Sequence, residues 1–196
     1  MLNDNFDSYN DGDLNGQGGW SGSAVYDVQG AVVKAGTKAV KKDNTGATAH
    51  SIEKIGSGEA KSNLVFWARW EAGFWIQHFI KEGNTDKAVI YFYNPNGGDC
   101  ILLNWKSGDD VLKSGISKGV FYRCEFEWDA DTDKIRARAG VSDEEPGDWS
   151  EWRDAYSVFD VIDRFKIHAK GGGYWDEISE GAPPPPVVTK SQAIII

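Results

Sequence analysis

The stretch from Val120 to Val141 limits the possible folds more than any other part of this chain. Val120, Tyr122, Cys124, Phe126 and Trp128 fall on one side of a period-two pattern, and Arg123, Glu125 and Glu127 fall on the other. Such alternation predicts a strand with one apolar and one wet face, as in an antiparallel sheet. Asp129–Asp133 (DADTD) then breaks the pattern. In Lys134–Val141 it resumes, with Ile135, Ala137, Ala139 and Val141 set against Arg136 and Arg138. Two such runs around a short polar break predict a β-hairpin. One hairpin buries too little to stand alone, so its apolar side requires a second layer.

Other segments supply that layer. Leu64–Trp70 (LVFWARW) and Phe74–Ile80 (FWIQHFI) read as strands flanking Glu71-Ala72-Gly73. Ala88–Tyr93 ends at Asn94-Pro95-Asn96-Gly97-Gly98, a dense turn signal, and Cys100–Trp105 follows. Arg164–His168 predicts a strand, and Tyr174–Ile178 a short last one after Gly171-Gly172-Gly173. Ala24–Val28, Ala31–Ala35 and His50–Ile55 complete the set. No segment sustains a 3.6-residue apolar stripe, so any helix is short, with Ser150–Tyr156 as its place. With 9 Trp, 7 Tyr, 9 Phe and 23 Gly in 196 residues, the chain is rich in strand and turn formers. The expectation is an all-β fold, a sandwich or barrel.

The composition changes at Gly181, which divides the chain into a domain over 1–181 and a tail over 182–196. Pro183–Pro186 predicts a stiff polyproline II spacer. Beyond it Val187, Val188, Ile194, Ile195 and Ile196 make an apolar, β-prone end, suited to pairing with the sheet edge of a protein partner. That points to a homo-oligomer or a larger assembly. The formal charge is −9, from 21 basic and 30 acidic residues, which argues against a nucleic-acid partner. No apolar run approaches the ~20 residues of a membrane-spanning helix, so no membrane partner is expected. The first twenty residues have neither a basic start nor an apolar stretch, so no signal peptide is expected. Cys100 and Cys124 are expected as buried free thiols, although a bridge between them cannot be deduced from sequence.

Both ends of the domain resemble a known family. Asn5-Phe6-Asp7-Ser8-Tyr9 and the Gly-rich Gly12–Trp20 are similar to the opening of concanavalin A-like (LamG-type) jelly-roll domains. Phe165-Lys166-Ile167 and Gly173-Tyr174-Trp175-Asp176-Glu177-Ile178 resemble that family's last strand. The resemblance implies a two-sheet antiparallel jelly-roll sandwich with an extended C-terminal tail. Its members include lectins, carbohydrate-binding modules, glycosidases, lyases and structural surface domains, so fold alone does not give function. The resemblance also implies a place for a structural Ca²⁺ between the first and last strands. Asp7 and Asp176 match its acidic positions, with Asp4, Asn5 or backbone carbonyls as further oxygen donors. No cofactor is expected to be required, and calcium is the one ion the resemblance allows for.

Three features bear on function. Glu125-x-Glu127-x-Asp129 puts three acids on one strand face, at a spacing a glycosidase pair can use. Arg123, Arg136 and Arg138 are placed to pair with these acids across the hairpin, so a solvated ion-pair face is the expected role and no catalytic residue is assigned. DADTD lacks the Gly and the distant Glu of an EF-hand loop and is expected to be a hairpin turn. Trp149 and Trp152 lie in an acidic, loop-like stretch and are the expected exposed pair, with Arg153 beside them, for stacking on a glycan or a protein. Three functions fit. The first is a non-catalytic module of an exposed assembly, a virion decoration or fibre-type protein anchored by its tail. The second is a lectin-like glycan-binding module of a secreted or cell-surface protein. The third is a glycoside hydrolase or lyase. The place of action is then a virion surface or extracellular.

Overall fold

The computed structural model describes residues 2–43, 48–94, 98–142, 144 and 146–181. Thirteen strands follow one another: β1 (Gly12–Asp13), β2 (Trp20–Gly22), β3 (Tyr26–Gln29), β4 (Ala39–Lys42), β5 (His50–Glu59), β6 (Lys61–Glu82), β7 (Thr85–Tyr93), β8 (Cys100–Trp105), β9 (Gly108–Ser114), β10 (Phe121–Asp129), β11 (Lys134–Val141), β12 (Arg153–Asp154) and β13 (Ile162–Glu180). Every pairing is antiparallel. No helix occurs among the described residues, and Ser150–Tyr156 instead contributes β12, which pairs with Lys134 and Ile135.

Two long strands make the architecture. The first half of β6 pairs with β10 and its second half with β7. Residues 162–169 of β13 pair with β5 and with residues 76–81 of β6, whereas residues 171–180 pair with residues 64–73 of β6. One layer therefore runs β1-β3-β4-β13-β6-β10-β11-β12, and the other runs β2-β5-β13-β6-β7-β8-β9. The jelly-roll sandwich is a single hydrogen-bonded sheet folded over along β6 and β13.

The segments expected to be turns, Glu71-Ala72-Gly73 and Gly171-Gly172-Gly173, are instead corners inside continuous strands. Register shifts fall at Ala169/Gly171 and Gly172/Gly173. There the two backbones approach so closely that a Cβ on Gly171 would lie 2.2 Å from the Ala72 carbonyl oxygen. Only glycine fits such a contact.

The layers meet through the apolar halves of the alternating patterns. Phe66 of the first layer lies 5.1 Å from Phe165 of the second, and Phe92 lies 6.0 Å from Tyr122. Trp20, Trp70, Trp128 and Trp175 are fully buried in this core. Cys100 and Cys124 are buried free thiols, and burial pushes the Cys124 thiol up. DADTD forms the β10–β11 turn, with Asp133 at φ 54° and the Asp131 N–H donating to Asp129.

Ala31–Ala35 is not a strand: the Gln29 side chain accepts from Ala31 N and Val32 N, and Asp176 accepts from Lys34 N and Ala35 N. Side-chain acceptors there take the N–H groups a sheet ladder would have used. β9 was not anticipated, because Val111 and Leu112 are adjacent and break period two.

Candidate functional site

The outward face of the first layer carries the chemistry. Alternation sends Asn63, Val65, Trp67 and Arg69 of β6, Arg123, Glu125 and Glu127 of β10, and Arg136 and Arg138 of β11 to this side. Register sets opposite charges side by side, with Glu125 facing Arg138 and Glu127 facing Arg136. The Glu125 Oε1 atom lies 2.7 Å from Arg123 Nη2, and Oε2 accepts from Arg138 Nε at 3.0 Å. Glu127 Oε2 accepts from Arg136 Nε at 2.7 Å. The cross-hairpin pairing is thus as expected. The wetness of this face is not, because Glu125 is 1% exposed.

Aromatic side chains make the cover. Arg123 lies over the Trp67 ring at 5.6 Å. Arg138 lies 4.6 Å from the Trp149 ring, and Arg136 lies 4.8 Å from Trp149 and 4.6 Å from Trp152. Guanidinium groups stack well on indoles and keep their in-plane donors for carboxylates, so each arginine serves a ring and an acid together. Ser150 fixes the covering loop to β11: its N–H donates to Ala137 O at 2.8 Å and its Oγ accepts from Ala137 N at 3.1 Å.

Beside this ladder lies a cleft of about 580 Å³, lined by Lys61, Asn63, Glu127, Asp129, Arg136 and the two tryptophans among others. Trp152 is 39% exposed at its wall, and Trp149 is half-buried. Lys61 bridges Asp129 at 3.0 Å and Asp131 at 2.8 Å at the edge. The structure sets Trp149 and Trp152 at one cleft, Trp152 exposed but Trp149 half-buried rather than exposed as expected, and it turns Arg153 away. Arg153 grips Asp110 of β9 with two hydrogen bonds of 2.6 and 3.1 Å and lies over Trp105. Arg136 takes the place beside the tryptophans. Its position opposite Glu127 was legible in the hairpin register, but its contact with Trp149 and Trp152 was not.

A second concavity of about 710 Å³ continues along the same face, between the N-terminal segment and Val65, Trp67, Arg123 and Glu177. Asp4 at its margin accepts from Trp20 Nε1 and Lys54 Nζ, both at 2.7 Å, and from Tyr9 OH and Phe6 N. The two acids suggested for calcium lie near this end of the fold. Asp7 Oδ1 accepts from Thr37 N at 2.7 Å and Lys38 N at 2.9 Å, which hold its carboxyl below the usual range. Asp176 Oδ2 accepts from Lys34 N and Ala35 N, and Oδ1 from Glu177 N, while burial pushes its carboxyl up. Both acids thus hold the loop 34–38 by its N–H groups. No group of three or more His, Cys, Asp or Glu suited to a metal ion occurs among the described residues. The tail residues Val187, Val188, Ile194, Ile195 and Ile196 lie outside the described residues.

No family model matches the chain, and no curated protein matches it by sequence. Solved structures do match by shape. A structure titled "Sialidase" aligns with TM-score 0.65 at 12% identity over 92% of this chain, which spans only 18% of that one. The lectin UEA-II, solved in complex with galactose, aligns with TM-score 0.59 at 10% identity over 92% of this chain and 99% of its own. The carbohydrate-binding module CBM66 from Bacillus subtilis aligns with TM-score 0.50 at 10% identity over 84% of this chain and 96% of its own. Likeness at such identities is a likeness of fold. The chain has the concanavalin A-like jelly-roll sandwich.

Proposed function

We propose that the protein is a non-catalytic glycan-binding module and that the Trp149–Trp152 cleft is its binding site. The observation that carries this is the partly exposed Trp152 indole at the wall of a cleft floored by fixed charged and amide groups. A sugar ring offers a flat C–H face for an indole and a rim of hydroxyls for carboxylate, guanidinium and amide partners. The lectin and the binding module among the similar structures support this function over a virion role. Their similarity reaches only the fold, so the cleft chemistry bears the argument.

The acids favour binding over hydrolysis. A glycosidase needs one carboxylic acid that holds a proton and one free carboxylate. Glu125 is clamped between two arginines and Glu127 is held by a third, so both carboxylates are tied up in ion pairs rather than free to act on a glycosidic bond. A glycan array tests the proposal. The wild type is expected to bind at least one glycan class, and Trp152→Ala to lose about tenfold or more in affinity for it. An array blank for the wild type, or a Trp152→Ala variant that binds equally well, overturns it. Release of reducing ends that stops with Glu127→Gln would restore the hydrolase alternative.

A further inference from the structure

We infer a second saccharide site on the outward face of the opposite layer, one that takes a neutral sugar. A small cleft of about 310 Å³ lies there, lined by Trp75 and Gln77 of β6, Val89, Tyr91 and Tyr93 of β7 and Asn104 of β8. Alternation places these residues on one face: Ile76 and His78, then Ile90 and Phe92, point into the core between them.

The walls are fixed from behind. Trp75 packs edge-on against His168 at 5.0 Å, and the Tyr91 and Tyr93 rings lie 5.7 Å apart. The Tyr91 hydroxyl donates to Asp109 at 3.3 Å, and burial beside that acid pushes its pKa up to about 12. Asn104 donates to Asp109 at 2.5 Å and accepts from Tyr156 OH. These groups are already ordered, so a ligand need not immobilise them.

Other polar groups in the cleft have no protein partner among the described residues. They are the Gln77 amide, the Tyr93 hydroxyl and the Trp75 indole N–H. A face that combines rigid aromatic rings with unpaired amide, hydroxyl and indole groups is matched by a ligand that is apolar on one side and hydroxylated around its rim. A purely apolar protein surface would leave these donors and acceptors unpaired. The carboxylate beside the cleft is the exposed Asp109, held by Tyr91 OH and the Asn104 amide, so an anionic sugar would meet repulsion there. The inference shares with the Trp152 cleft only the class of ligand. If both sites operate, one molecule bridges two glycans through opposite layers, with the gain in avidity that follows.

The test uses the full chain labelled with 5-fluorotryptophan, with the Trp75 and Trp152 fluorine resonances assigned from Trp75→Phe and Trp152→Phe. The probes are millimolar hexaoses of glucose, mannose, galactose and xylose. At least one is expected to shift the Trp75 resonance saturably, and Gln77→Ala to weaken that response about three- to tenfold while leaving any Trp152 response unchanged. A Trp75 shift without a Trp152 shift upholds this site and counts against the first. A Trp152 shift alone overturns this site and leaves the first standing. A Trp75 resonance that moves with protein concentration and not with sugar also overturns it, because the face then meets another copy of the chain.

Discussion

Glu125 has its carboxylate sealed between Arg123 and Arg138, which are themselves about nine-tenths buried. Removing the acid leaves two buried guanidinium groups short of their counter-ion. Glu125→Ala is therefore expected to cost about 3–5 kcal/mol, read as a lower urea midpoint, with Glu127→Ala much milder because that pair is about one-third exposed. His78 makes the opposite kind of demand. It is buried beside Phe66, Phe92, Phe165 and Trp175, accepts from Trp175 Nε1 at 2.6 Å, and its other ring nitrogen lies 3.2 Å from Ile90 O. Burial pushes its pKa down to about 3. The unfolded chain takes up a proton below about 6.5 that the folded chain refuses, so stability falls as pH falls through that window. Denaturation at pH 6 and pH 4 should show the wild type losing up to about 1.4 kcal/mol per pH unit more than His78→Gln. Equal slopes would contradict the neutral, sealed imidazole. The Glu–Arg pairing was legible at this scale because hairpin register dictates it. The burial of Glu125 was not, since its cover includes Trp149, which is brought back by a loop.

Long strands, rather than short ones, set the shape of the molecule. Gly73 at φ 91° and the glycines of β13 give the sequence the same punctuation whether the chain reverses or merely bends. Local pattern therefore divided β6 and β13 in two. What decides the matter is the partner strand: each corner is a corner because the other strand bends beside it and keeps its hydrogen bonds. Gly171→Ala tests this coupling, because the added Cβ would meet the Ala72 carbonyl at 2.2 Å. A loss of about 1–3 kcal/mol in urea denaturation is expected, while Gly83→Ala, with φ +54° but open space around it, should cost less. A neutral Gly171→Ala would mean that the corner does not need its close contact. Strand β12 shows the converse limit: two residues paired with β11 leave no periodic signal to read.

At the scale of the whole molecule the two ends close the fold. Asp4 and Ile178 exchange backbone hydrogen bonds of 2.7 Å each, and Glu180 accepts from Leu2 N and donates its own N–H to Asn3. The similarity of both ends of the domain to jelly-roll ends was legible in sequence because the motifs that carry it, residues 5–9 and 173–178, are short, contiguous and marked by Phe6, Tyr9, Tyr174 and Trp175. The site was only half legible. Trp149 and Trp152 stood out by composition, whereas Arg136 and the Trp75–Tyr93 face depend on which strands the fold makes neighbours. The account as a whole rests on a sugar sitting against Trp152. A crystal structure of the protein soaked with a glycan identified on the array tests this most directly. The account predicts a sugar ring stacked on the Trp152 indole, with hydroxyls within hydrogen-bond distance of Glu127, Arg136 or Asn63. A sugar bound with the Trp149–Trp152 cleft empty would contradict it.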